Sequence, residues 1–513
     1  MKKWILLHLM ICGMCTIAVE VAAFRLLAPS FGSTQFITTN VLGVVLAALA
    51  AGYWIGGKLA DRKPKEELLY TVSFAAAVLV VLLPFAAGPV LEAARPAISN
   101  QNATLFVGTL ASMAGLFALP MLLLGMVSPF TIRLLANGDE RAGSRGGLVF
   151  ALSTIGSIFG AYLPALVTIP WIGTRGTIQL FGGIVLFISA IGLFLCNRRA
   201  AGSVALLLTL VPAVFVINPI RPAKARNVIE ERETEYYVAR VVRDERYQRT
   251  LLEMNEGLSY HSMEYDDGRL SPGVWGFFQI FPRMIENPQK LQKPPLRICI
   301  IGLAAGTIAT QLKRAYESEY SLTIDGVEID REIVELGRKY FRLDDRLINI
   351  KIEDGRTFLA RTPEKYDLIF GDAYRQPYLP PHLVTKEFFA IVKERLNPGG
   401  ICSINIGAVG TQSLVLRGIQ NAMIEAFGPG AFVERFEVTN SDVPFSNFVC
   451  MASDRPLRAR FASVADPQLI NHRNVALEKW QLLQKDPQAP VFTDDRCPVE
   501  WYTDLSLLQM AAR

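Results

Sequence analysis

Four groups in the middle of the chain could do chemistry together: Gly302 with Gly306, Glu328, Asp354 with Gly355, and Asp372 after Gly371. Each closes a short run of strand-like residues. Ile298–Ile301 is a continuous apolar run, as expected of a buried parallel strand. Gly302 and Gly306 then allow the backbone to pass close to a ligand, and the helical pattern of Thr307–Tyr316 offers free N–H groups at its start. Leu322–Glu328 ends in an acid at about the spacing where nucleotide-binding α/β units put a carboxylate on a ribose diol. Asn349–Ile352 runs into Asp354-Gly355, and Tyr366–Phe370 into Gly371-Asp372. The ends of adjacent strands in an open parallel sheet converge on one crevice. A bare carboxylate such as Asp372 there can take a proton from an attacking amine or steady a developing positive charge; the lesser reading is a loop acid that caps the proline-rich turn that follows.

The elements that must position these groups lie in the second part of the chain. A helix over Thr385–Leu396 and a strand over Ile401–Ile406 continue the alternation. Tyr236–Arg243 and Gln248–Met254 read as strands of a small β-domain, joined by a turn at Asp244–Tyr247. His382, in the loop Leu379–Pro381 leads into, reads as a loop anchor or a proton shuttle.

The first part is different. The chain has 513 residues, 51% of them hydrophobic, and the apolar ones crowd before Pro219. Seven segments read as spans: Trp4–Phe24, Phe36–Ile55, Leu68–Leu91, Leu105–Val127, Leu148–Trp171, Ile178–Cys196 and the short Ser203–Ile217. Gly156 and Gly160 have small-xxx-small spacing, which permits close helix packing. Lys2, Lys3, Lys58, Arg62, Lys63, Lys65, Arg133, Arg141, Arg145, Arg198 and Arg199 fall in alternate loops, so the amino terminus is expected inside. The expected divisions are 1–218 (transmembrane helices), 228–290 (small β-domain) and 291–513 (α/β domain). The net charge of +5 is mild and no basic run is interleaved with aromatics, so nucleic acid is not an expected partner. Of seven scattered cysteines, Cys12 and Cys15 have C-x-x-C spacing but lie in an apolar span, where they read as small packing residues. With no second such pair and no H-x-x-x-H among the four histidines, no metal site is expected.

The stretch from Leu296 to about Ile406 resembles the catalytic core of the spermidine synthases, the polyamine aminopropyltransferases, in the branch where helical spans precede that core. The matching pieces are Val327–Asp330 (VEID), Glu353–Leu359 (EDGRTFL), Tyr366–Tyr374 (YDLIFGDAY), Leu379–Phe389 (LPPHLVTKEFF) and Leu396–Ile401 (LNPGGI). Thr493–Trp501 (TDDRCPVEW), Arg25–Gly32 (RLLAPSFG) and Gly56–Arg62 (GGKLADR) also fit. The resemblance implies a helical transmembrane bundle followed by a Rossmann-like domain of the S-adenosylmethionine-dependent transferase type, with the small β-domain at its start. It implies S-adenosylmethionine or its decarboxylated form as co-substrate, 5'-methylthioadenosine as product, an amine or polyamine as acceptor, and no metal. It also implies a homo-oligomer, such as a dimer. The expected location is the cell (inner) membrane. A seventh full span would put the soluble part outside, where an adenosyl co-substrate is not supplied. Arg221, Lys224 and Arg226 after that segment argue that it returns inside or lies in the interface, so the catalytic domain is expected to face the cytoplasm.

By the same resemblance, Gly302, Gly306, Glu328, Asp354 and Gly355 hold the co-substrate. Glu328 takes the ribose hydroxyls and Asp354 the adenine amino group, while Asp372 is the base. Tyr260, Tyr374, Arg375 and Asp495 are substrate-side candidates, Tyr260 or Ser262 standing in for a family Gln absent here. Two departures matter. Arg375 replaces the second acid of the family's D-x-x-D loop, and Ala305 replaces the acid of its glycine turn. An Arg repels a diamine, and loss of the turn acid better suits a co-substrate that keeps its carboxylate. Alternatives are a methyltransferase on the same fold, an enzyme that cleaves or cyclises S-adenosylmethionine, and a transporter or sensor whose soluble part binds a nucleoside.

Overall fold

The computed structural model describes residues 2–31, 35–99, 110–136, 142–196, 203, 227–254, 260–286, 291–374, 378–438 and 445–511. The chain divides into two compact units, Met1–Lys224 and Ala225–Arg513.

Among the described residues, five helical stretches of the first unit are long and apolar enough to cross a membrane: Lys2–Leu27, Thr38–Arg62, Glu66–Val90, Leu110–Ala136 and Gly143–Leu195. The last has 53 residues, about 80 Å at 1.5 Å per residue, and turns back on itself. At Gly173 φ is 73°, and Thr177 Oγ1 lies 2.9 Å from Thr168 Oγ1, far closer than a straight helix allows. The expected spans Leu148–Trp171 and Ile178–Cys196 lie on its two arms. The structure thus has five such stretches where the sequence suggests seven separate segments; Ser203–Ile217, beyond Ser203, lies outside the described residues.

Glycine sets the helix spacing. A Cβ on Gly156 would come 2.0 Å from the Met10 carbonyl oxygen, and one on Gly160 2.2 Å from that of Met14. Residues 10 and 14 therefore pair in the same direction with 156 and 160, so the first helix and the first arm run parallel. One buried polar cluster ties three elements: His8 Nε2 is 2.9 Å from Ser73 Oγ and 3.2 Å from Ser189 Oγ, and the serines are 3.0 Å apart. His8 and Ser73 sit near the starts of their helices and Ser189 near the end of its own. Those three helix ends consequently share one side. The outward faces are apolar, with Phe150, Tyr162, Leu166 and Trp171 exposed.

The second unit holds two sheets. Strands β1 (Val228–Glu233), β2 (Val238–Asp244), β3 (Arg249–Met254) and β4 (Tyr260–Tyr265) form an antiparallel sheet in chain order. β1 escapes sequence reading because VIEERE is nearly all charge. Its charges are met by the helix Arg331–Tyr340: Arg232 donates to Glu332 at 2.7 Å, and Lys339 and Tyr340 donate to Glu230 at 2.6 and 2.7 Å.

The larger sheet contains β5 (Pro295–Ile301), β6 (Ser321–Glu328), β7 (Asn349–Ile352), β8 (Tyr366–Gly371), β9 (Leu396–Val409), β10 (Phe432–Glu437), β11 (Phe445–Ser453) and β12 (Gln481–Leu482). Its order is β12-β10-β11-β9-β8-β5-β6-β7. Five strands, β7 to β9 across β6, β5 and β8, are parallel; β11, β10 and β12 add antiparallel pairs. The sheet is therefore mixed, where an open parallel sheet is expected from the sequence. Alternate β5 residues enter opposite cores: Ile298 and Ile300 join Leu368 and Phe370, while Cys299 and Ile301 join Ile369 and Cys402. Both faces are covered, which is why Ile298–Ile301 reads as an unbroken apolar run.

Candidate functional site

β6 leaves β5 to one side and β8 lies on the other, so the chain direction switches at β5. Crevices of α/β sheets open at such a switch, beyond the carboxyl ends of the strands. One row of the sheet brings the ends level: Ile301 pairs with Gly371 and Val327, and Glu328 with Ile352. The Asp372 N–H donates to the Ile301 carbonyl at 2.9 Å, and the Glu353 N–H to the Glu328 carbonyl at 3.1 Å.

The glycines are required by this crowding. Gly302 has φ 83°, and a Cβ there would lie 2.6 Å from Ala373 Cα and from the Asp372 carbonyl oxygen. No side chain fits that position in that conformation. Gly306, at φ 94°, starts the helix Thr307–Tyr316 against Leu343, and Gly355 lies against Ile301, whose Cγ2 a Cβ would meet at 2.3 Å.

The three acids occupy different environments. Glu328 is buried, and its carboxylate accepts from the N–H groups of Ala304 at 2.8 Å and Asp330 at 3.2 Å. Burial outweighs those bonds and pushes its carboxyl up to about 7. Asp330, the second acid of VEID, caps the next helix by accepting from Glu332 N–H at 3.0 Å. Asp354 caps the helix Gly355–Arg361 through Thr357 N–H at 2.8 Å, and its other oxygen is 2.7 Å from His382 Nε2. The His382 contact, more than any other, holds its carboxyl down to about 2.

Asp372 is partly buried at the end of β8. Asn405 on β9 donates its side-chain N–H to Asp372 Oδ1 at 2.9 Å, and the Trp275 side chain also bonds it. Burial again prevails, pushing this carboxyl up to about 7. The Asn405 Oδ1 is buried without a partner among the described residues.

The structure thus gathers Gly302, Gly306, Glu328, Asp354, Gly355 and Asp372 at the sheet's carboxyl edge. The other expected site residues fare differently. Tyr374 donates its hydroxyl to the Asn405 carbonyl at 2.9 Å and accepts from Gly407 N–H, so it is committed to β9. Tyr260 is exposed at the start of β4, whereas Ser262 is buried and accepts from the Ala305 N–H at 3.0 Å, directly under the glycine turn. Asp495 is exposed; its neighbour Asp494 carries the contacts, accepting both fork nitrogens of Arg356 at 2.7 and 2.6 Å. Arg375 lies outside the described residues. Sequence reasoning missed Asn405; Trp275, in the segment Ser271–Pro282, reads from the sequence as equally a core or a site residue. A signal for Asn405 was present: it is a lone amide in the run ICSINIGAV, and a polar side chain in a core strand needs a partner. Among the described residues, no group of three or more His, Cys, Asp or Glu is placed to hold a metal ion.

A mixed sheet with a glycine turn after its first parallel strand and acids at the next three strand ends defines a Rossmann-like domain. Residues 280–431 match the spermine/spermidine synthase domain, so this part of the chain is similar to that family. The chain is 26% identical over 272 residues to a probable polyamine aminopropyl transferase of Bifidobacterium longum, covering 49% of this chain and 57% of that protein. It is 32% identical over 115 residues to a polyamine aminopropyltransferase of Vibrio vulnificus, covering 22% and 38%. The chain therefore spans between about a third and three fifths of the length of these relatives. Among solved structures, a probable spermidine synthase from Corynebacterium glutamicum aligns over 52% of this chain and 96% of its own, with 20% identity and a TM-score of 0.41.

The buried acids make stability depend on pH. Glu328 in the folded state ionises near 7 rather than at its ordinary 4.5, so between those values the folded protein binds more protons than the unfolded one. Its contribution is full below about 4.5 and is lost as pH rises through 7, by about 3 kcal/mol at most. Glu328→Gln should therefore flatten the fall in thermal stability of the full chain between pH 5 and pH 8, leaving the part due to Asp372. An undiminished fall in the variant would mean that Glu328 is ionised throughout.

Proposed function

We propose that the second unit is an aminopropyltransferase-like enzyme that moves the aminopropyl group of decarboxylated S-adenosylmethionine, or the corresponding carboxylate-bearing group of S-adenosylmethionine itself, to an amine acceptor and releases 5'-methylthioadenosine. The observation that carries this reading is Asp372. It is a carboxylate at the switch point, beside the glycine turn, with its proton affinity raised to near neutrality. An ammonium cannot attack carbon, so the acceptor must lose a proton, and a base of matched affinity is the group required. The amine nitrogen bonds to the alkyl carbon next to sulfur as the carbon–sulfur bond breaks. That electron pair leaves with the neutral thioether, and the amine proton passes to Asp372. The unpartnered Asn405 Oδ1 is available to a second N–H of the same amine.

In this reading Glu328 takes the ribose diol and Asp354 the adenine amino group, both as acceptors. The relatives' names, polyamine aminopropyltransferases, support a polyamine acceptor. A second reading is favoured at one position. Ala305 is fully buried where the family carries an acid, so nothing there rewards a free aminopropyl ammonium. That favours a co-substrate retaining its carboxylate, cleaved or cyclised at the same carbon.

For the first unit, we infer a multi-pass membrane bundle with the second unit on the cytoplasmic side. Its helices expose large apolar side chains such as Trp54, Phe150, Tyr162, Leu166 and Trp171, as lipid-facing surfaces do. The cluster at His8, Ser73 and Ser189 puts the starts of the first and third helices and the end of the last on one side, and Lys2, Lys3, Lys63 and Lys65 adjoin those starts.

Mass spectrometry of products from the purified full chain tests the chemistry, with each co-substrate and with or without polyamines. Methylthioadenosine is expected, and S-adenosylhomocysteine would mean a methyltransferase instead. Asp372→Asn should lower turnover by about 10²–10⁴-fold with nucleoside binding nearly intact. Full methylthioadenosine release by that variant would remove Asp372 from the mechanism. A reporter fused after Arg513 should read as cytoplasmic; a periplasmic signal would reverse the assigned side.

A further inference from the structure

The segment from Phe492 to Asp504 is bonded along its length to the loop that joins β8 to the helix Lys386–Glu394. Tyr378 donates its hydroxyl to Asp504 at 2.6 Å, and Cys497 reaches the Pro381 carbonyl at 3.5 Å. The Lys386 N–H donates to the Phe492 carbonyl at 2.8 Å. Asp494 is the hub. It accepts the Arg356 fork at 2.7 and 2.6 Å and the Thr385 hydroxyl at 2.8 Å, and its own N–H donates to Glu387 at 2.9 Å. Arg356 in turn donates to the His382 carbonyl at 3.2 Å, and the His382 ring meets Asp354 at 2.7 Å.

We propose that Asp494 is a positioning residue for the nucleoside site: through Arg356 and His382 it fixes the carboxylate of Asp354. This rests on the reading that Asp354 faces the adenine amino group. One Asp354 oxygen is held by the Thr357 N–H at the start of the helix. The other lies 2.7 Å from the His382 ring, the contact that does most to hold the carboxylate charged. His382 follows Pro380 and Pro381, whose lack of N–H groups leaves the loop few backbone bonds of its own. The planar Arg356 fork supplies what the loop lacks, and it can do so only while a carboxylate fills its two ends. A lysine there would provide charge without the second bond.

The test is a double-mutant cycle on the full chain, reading the dissociation constant of methylthioadenosine by calorimetry. His382→Ala and Asp494→Asn should each weaken binding by about five- to twentyfold, and the double variant should be no weaker than the worse single one. At saturating co-substrate, kcat should be unchanged in each, since Asp372 is untouched. Losses that multiply in the double variant would overturn the proposal, as would unchanged binding by Asp494→Asn where Glu328→Ala weakens it. Unchanged binding in Glu328→Ala as well would instead overturn the nucleoside reading on which the proposal rests. If Asp494→Asn does not fold, Arg356→Lys must show the same coupling with His382→Ala; independent effects there would equally sink it.

Discussion

The candidate site depends on one close approach of backbone to backbone. The turn after β5 and the turn after β8 meet at Gly302 and Asp372-Ala373 with no room for a side chain between them. The Asp372 N–H bonds to Ile301, so the acid is placed by main chain rather than by its own rotamer. The same turn supplies the Ala304 N–H to Glu328, with Ala304 at φ 48°, a region that residues with a Cβ rarely occupy. One constrained turn thus sets where both acids stand relative to each other.

Environment then divides the labour among three carboxylates. Glu328 and Asp372 sit where burial raises proton affinity, and Asp354 sits at a helix start beside an imidazole, where the charged form is favoured. A base must be able to hold and give up a proton near the working pH, which suits the proposed role of Asp372, and Asp354 is left charged as an acceptor. Glu328 shares the raised affinity of Asp372 because burial raises both. Pairs of acids pushed apart in this way are a common mark of active sites, though ion-pair networks produce shifts too.

Much of this arrangement was legible in the chain. The apolar run Ile298–Ile301, the turn at Gly302 and Gly306, and acids closing β6, β7 and β8 are local patterns, and the structure places them side by side. What the sequence concealed was set by partners distant in the chain. β1 looks like a linker because its charges are answered by a helix a hundred residues on. β10, β11 and β12 carry no turn signal tying them to β9, so the mixed character of the sheet was not visible. Asp494 and Asp495 are adjacent and alike, and what distinguishes them is Arg356, Thr385 and Glu387, all more than a hundred residues away in the chain. The reversal at Gly173 hides in a continuous apolar stretch, since a glycine leaves hydropathy unchanged while permitting a positive φ.

The central claim is that the strand-end acids form one site, with the nucleoside on Glu328 and Asp354 and its sulfur turned toward Asp372. The most direct test is an experimental structure of the full chain with methylthioadenosine bound. The account predicts ribose hydroxyls on the Glu328 carboxylate, the adenine amino group on Asp354, and the thioether facing Asp372 and Asn405. A nucleoside bound elsewhere, or one whose thioether points away from Asp372, would contradict it.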